Sequence, residues 1–188
     1  FFYKFLHLVI RDYTDGFQSI REEIQSLVER NDIDISNDNK MVALIYIWNN
    51  SISDQSKAEY KTKIDEFSSQ HESAISTAAY VNYYSKLGFY NLNDGNFEVA
   101  LNYFSQSTRI LEEIGLKHGS DSKEMHLMST ICLYFTREED EDLLHEVVEI
   151  IDQMFDEKYA LLFNQDINNT IIRFSHEMVQ HGMYDEAI

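Results

Sequence analysis

The stretch from Tyr84 to Ser107 constrains the fold more than any other part of the chain. It runs Tyr84-Ser85-Lys86-Leu87-Gly88 and then Gly95-Asn96-Phe97-Glu98-Val99-Ala100-Leu101-Asn102-Tyr103-Phe104-Ser105-Gln106-Ser107. Apolar residues return every three or four positions on both sides of Gly95, which predicts two helices joined by a tight turn. Gly95 supplies the left-handed backbone conformation that such a turn needs. Small residues stand where the two helices must touch. Gly88 and Ala100 are expected opposite each other, letting the backbones approach, while Tyr84, Leu87, Phe97 and Phe104 fill the space around them.

The same spacing continues through the rest of the chain. With no proline and only six glycines in 188 residues, it predicts an all-α fold. Helices are expected over residues 1–14, 16–31, 40–49, 54–69, 72–93, 96–115, 122–136, 140–156 and 158–181, and from 184 onward. Asp54, Asn96 and Ser122 read as N-caps, and Gly95, Gly119 and Gly182 as punctuation. The polar run from Asn31 to Lys40 predicts a loop or junction. It sets off residues 1–31, a leading helical hairpin or linker to an upstream domain, from a repeat array over 40–188.

The order of residues from Tyr84 to Ser107 resembles a tetratricopeptide (TPR) repeat, a helical hairpin of about 34 residues that stacks on copies of itself. Two positions depart from the family pattern: Asn91 stands where a tyrosine is usual, and Glu112 where a proline ends the second helix. Without that proline the second helix is expected to run on toward Ile114-Gly115. A partial second copy closes the chain. Ile171, Phe174 and Ser175, followed by Gly182, Tyr184 and Ala187, keep the spacing of Tyr84, Leu87 and Gly88, followed by Gly95, Phe97 and Ala100. Ending at Ile188 as a second helix begins, the sequence reads as part of something longer. The resemblance implies hairpins stacked in a right-handed superhelix whose concave face binds peptides.

Between the two copies lies a degenerate pair of segments, Ser122–Phe135 and Asp140–Phe155; the turn glycines Gly95 and Gly182 stand 87 residues apart, which two repeats of roughly 43 residues would fill, longer than the standard 34. Lengthened hairpins of this kind are similar to the peptide-binding domains of Gram-positive quorum-sensing receptors (the Rap, Rgg, NprR, PlcR and PrgX proteins). So is the run Ile131-Cys132-Leu133-Tyr134-Phe135-Thr136 with the acidic stretch after it. That resemblance implies a homodimeric cytoplasmic transcription regulator that responds to a short signalling peptide and touches DNA only through an upstream helix-turn-helix domain. Two alternatives stay open. One is a Rap-like regulator of a response-regulator protein, with Phe1–Arg30 as the remains of its helical bundle; the other is a plain TPR adaptor.

Composition narrows the function classes. A net charge of −18 argues against these residues gripping nucleic acid, because phosphate contacts need Lys and Arg. The acidic run from Glu138 to Asp142 reads as a solvated helix start that complements the helix dipole. The apolar opening, Phe1 to Ile10, is too short to span a membrane and lacks the marks of a signal peptide. A single cysteine, Cys132, excludes an internal disulfide, sits in an apolar run as a core residue, and fits a cytoplasmic protein. Trp48 likewise reads as core packing.

For binding, the two hairpin copies place Asn82 in register with Asn169, and Lys86 in register with Arg173. In each copy an amide is followed four residues later by a cation on the same helix face. Phe89 and Asn93 extend the first copy, and His176 and Gln180 the second. An amide can both donate to and accept from a peptide backbone, and a cation can hold a carboxylate. The candidate peptide-binding residues are therefore Asn82, Lys86, Phe89, Asn93, Asn169, Arg173 and His176. No metal site or cofactor is expected. The seven histidines are dispersed without an i, i+4 pair, and neither a nucleophile elbow nor a phosphate loop is present. The reading is of a binding protein, not an enzyme.

Overall fold

The computed structural model describes residues 2–30, 35–117, 119–137, 140–156 and 165–180. Among them every regular element is helical: α1 Phe2–Asp15, α2 Phe17–Glu29, α3 Asn37–Asn49, α4 Asp54–Gln70, α5 Thr77–Asn93, α6 Phe97–Glu113, α7 Ser120–Thr136, α8 Glu141–Asp156 and α9 Gln165–Gln180, with a 3₁₀ turn over Glu72–Ala74. The all-α expectation holds for these residues. They belong to two compact units, Phe1–Lys86 and Leu87–Ile188. That division falls inside α5, whereas the polar run after α2 had suggested 1–31 and 40–188.

Each unit is built around one helix that is apolar on several sides. In the first unit α3 buries Met41, Ala43, Leu44, Ile45, Ile47 and Trp48, which no single stripe could do. It packs on α4 and α2, and α2 in turn on α1. The amphipathic α2 contributes Phe17, Ile20, Ile24, Leu27 and Val28 from one face. In the second unit α7 has the central place and packs on α6, α8 and α9. It buries Met125, Leu127, Met128, Ile131, Cys132 and Tyr134. Burying one such side chain contributes about 1.5–3 kcal/mol, so each of these two helices is a large contributor to the cohesion of its unit.

Several helix ends differ from the sequence expectation, each for a local reason. The expected helix over 72–93 is broken before α5. Ile75 is buried, and the Ser76 hydroxyl accepts the Ala79 N–H while its own N–H donates to Asp38 at 2.6 Å. Ser53, not Asp54, caps α4 by accepting the Ser56 N–H. Ser36 caps α3 in the same way, so that helix starts at Asn37 and not at residue 40. Gly119 occupies the cap position of α7, ahead of Ser122, and Asn96 stands at the cap of α6 without a side-chain bond. Asp140, at the start of α8, does accept the Asp142 N–H at 3.0 Å.

The turn between α5 and α6 is as expected. Gly95 has φ +77°, and paired bonds close the α5 end, Gly95 N–H to Leu92 at 3.1 Å and Asn96 N–H to Asn91 at 2.8 Å. Gly115, at φ +79°, ends α6 by the same device. Gly88 is buried, but the nearest atoms to it belong to the Phe104 ring, so the missing side chain makes room for an aromatic. Ala100 and Phe104 are fully buried and Leu87 is buried, while Tyr84 and Phe97 are half-buried. Gly182, Tyr184 and Ala187 lie outside the described residues, as does most of the expected helix start at 158.

Candidate peptide-binding face

An aromatic cluster fixes α9 in the second unit. Phe174 is 1% exposed and meets Tyr134 and Phe135 of α7 edge-on, with ring centroids 5.2 and 6.1 Å apart. Phe135 in turn stacks on Phe97 of α6 at 4.6 Å. Ile167, Thr170 and Met178 are buried along the same side of α9. With that side committed to the core, the opposite side is turned outward.

The outward side carries both polar and apolar groups. Asn169, Arg173 and His176 are all exposed, at the i, i+4, i+7 spacing of one helix face. Beside them Ile172 is 57% and Val179 44% exposed. These two aliphatic residues were not among the sequence candidates. Their signal was present, as helical spacing next to the polar row, but a sequence does not show which apolar residues a helix leaves outside. Together the five side chains offer amide, cationic, imidazole and aliphatic contacts on a surface about three turns long.

Arg173 also reaches the end of α5, where its Nη1 donates to the Leu92 carbonyl at 3.4 Å. A cation beside the last carbonyls of a helix is favoured by the helix dipole. Asn93, the next residue of α5, is exposed. Arg173 and Asn93 are thus brought to the same helix end. Asn82 and Lys86 are half-buried and belong to the first unit.

Phe89 requires a correction. It is only 5% exposed and packs edge-on against Phe104, centroids 5.2 Å apart, so it is a core residue and not part of a binding face. An aromatic at that register is pulled inward because Gly88 beside it opens space that Phe104 fills.

A second opening in this unit escaped sequence reasoning. A cleft of about 460 Å³ lies between α6, α7 and α8, lined by Glu112, Lys117, Lys123, His126, Glu146 and Glu149 among others. Lys117 stands 3.9 Å from Glu112, and the His126 Nε2 lies 3.6 Å from Glu146. The residues come from three helices and, for Lys117, from the connection between α6 and α7, with no spacing common to all of them, so no sequence signal marks them. Among the described residues no group of three or more His, Cys, Asp or Glu is placed to hold a metal ion. Cys132 is fully buried, and desolvation raises its thiol pKa to about 12, so it is no nucleophile at neutral pH. No described helix is long and apolar enough to cross a membrane.

Comparison with known protein families, with curated proteins and with solved structures yields no match. The functional reading therefore rests on the side chains themselves.

Proposed function

We propose that the chain is the peptide-binding sensor domain of a cytoplasmic transcription regulator that responds to a short signalling peptide. In this reading its hairpins stack as TPR-like repeats, and the regulator works as a homodimer with its DNA-binding domain outside these residues. The observation that carries the reading is the outward face of α9. Asn169, Arg173 and His176 stand ready to pair with a peptide backbone or carboxylate, and Ile172 and Val179 to cover apolar side chains. The TPR-like arrangement is supported by the Gly95 turn and by the close packing of Phe104 on Gly88. Peptide binding would act by differential affinity, stabilising one of two arrangements of the chain.

The test is a pair of substitutions. Asn169→Ala with Arg173→Ala should weaken peptide binding about tenfold or more, since each removes a hydrogen-bonding group, one of them charged. Circular dichroism should stay unchanged, because both side chains are exposed. Unaltered affinity in the double variant would remove this face from the reading.

One observation favours a second reading. The first unit, containing α1 to α4, is compact in its own right. That suits a Rap-like regulator whose helical bundle engages a response regulator. Binding of a receiver domain, reversed by peptide, would select it over the transcription regulator.

A further inference from the structure

A groove of about 260 Å³ opens in the first unit between α2, α3 and α4. Its floor is apolar, made by Val28, Leu44, Ile47 and the Tyr60 ring, all buried, with the half-buried Phe67 at its side. Two ammonium groups stand over the aromatic rings, Lys40 5.5 Å from the Phe67 centroid and Lys63 4.5 Å from that of Tyr60. Glu29 is the single acid among the lining residues. In a chain of net charge −18 the lining carries the opposite sign.

The two lysines differ. Lys63 bonds Glu59 at 2.7 Å, and that bond is the main cause raising its pKa above the usual lysine value. Lys40 has no carboxylate partner among the described residues; its ammonium rests on the Phe67 ring. A cation held over an aromatic face at the edge of an apolar groove is placed to receive an anion whose other end is apolar.

We infer that this groove binds the C-terminal residue of an apolar peptide, its side chain against Val28, Leu44 and Ile47 and its carboxylate on Lys40. The volume suits one large side chain with its last peptide unit and is short for a long acyl chain. Gln25 and the Tyr60 hydroxyl, hydrogen-bonded to each other in the lining, offer polar contacts that a peptide amide can use and a fatty acid cannot. The site lies on other helices than the α9 face and stands whether or not that face binds peptide.

The experiment is a methyl NMR titration of the whole chain with N-acetyl-Leu-Leu-Phe, once as the free acid and once as the C-terminal amide. The expected result is saturable shifts at the methyl groups of Val28, Leu44 and Ile47. The acid should bind about tenfold more tightly than the amide, as a charge-assisted contact requires. Lys40→Gln should abolish that preference and Lys40→Arg keep it. Equal affinity for acid and amide, shifts confined to other methyls, or no shift at millimolar peptide would overturn the inference. So would tighter binding of decanoate, or shifts at the groove produced by protein concentration alone, the mark of a second copy filling it.

Discussion

A methyl group added at Gly88 would come within 2.5 Å of the Phe104 ring, and that ring is fully buried against Phe89. Overpacking of this kind costs about 1–3 kcal/mol. Alanine's better helix propensity returns roughly 1 kcal/mol at most. Gly88→Ala should therefore lower the urea midpoint, and Phe104→Leu in that background should recover part of the loss by vacating the space. Gly95→Ala tests a different cause. Nothing lies within 4 Å of its missing side chain, so the expected loss of about 1–2 kcal/mol comes from the φ of +77° alone, and no second-site substitution should relieve it. At Cys132 the folded thiol titrates near 12, above its ordinary 9.0. The folded state then holds its proton where the unfolded state has released it, so its contribution is full below pH 9 and declines as pH rises toward 12. Thiol labelling of the native protein at pH 8 should proceed only as fast as unfolding; rapid labelling would contradict the buried placement. Gly95 and Cys132 were legible in the sequence because a turn glycine and a cysteine in an apolar run each admit one simple reading. Gly88 was legible only as a close approach. Which side chain fills it depends on a rotamer that no sequence spacing fixes.

Helix ends divide the caps that bond from the residues that merely occupy the position. Ser53→Ala should cost about 0.5–2 kcal/mol, since its hydroxyl takes the Ser56 N–H, while Asn96→Ala should stay near neutral in the same thermal melts. A large effect at Asn96 would contradict the cap geometry described above. Among whole helices, α9 depends on Phe174. Phe174→Ala should cost about 3–5 kcal/mol and raise amide exchange along α9 before α6 or α7, because the Tyr134–Phe135–Phe174 cluster is what seats it. The existence of the described helices was plain from apolar periodicity. The break before α5 was not, because Ser76 caps it with help from Asp38, far away in sequence. The candidate face shows the same limit. Periodicity marked Asn169, Arg173 and His176 as one row, but it also put Phe89 on the corresponding row of α5, where packing buries it.

At the scale of the molecule, the proposal is that cations set at particular places in an acidic chain receive ligands that bring carboxylates and apolar side chains together. Arg173 on α9 and Lys40 above Phe67 are two such places, one in each compact unit. Sequence spacing found the first because Asn169, Arg173 and His176 recur along one helix, and missed the second because its residues come from α2, α3 and α4 with no spacing in common. The proposed peptide receptor can be tested directly by calorimetry with short peptides made from any small reading frames beside its gene, using the wild-type chain and the Asn169→Ala, Arg173→Ala variant in parallel. The expected outcome is one peptide that binds the wild type with micromolar or better affinity and the variant about tenfold more weakly. No heat from any of these peptides, or equal affinity for both proteins, would contradict a peptide receptor built on α9.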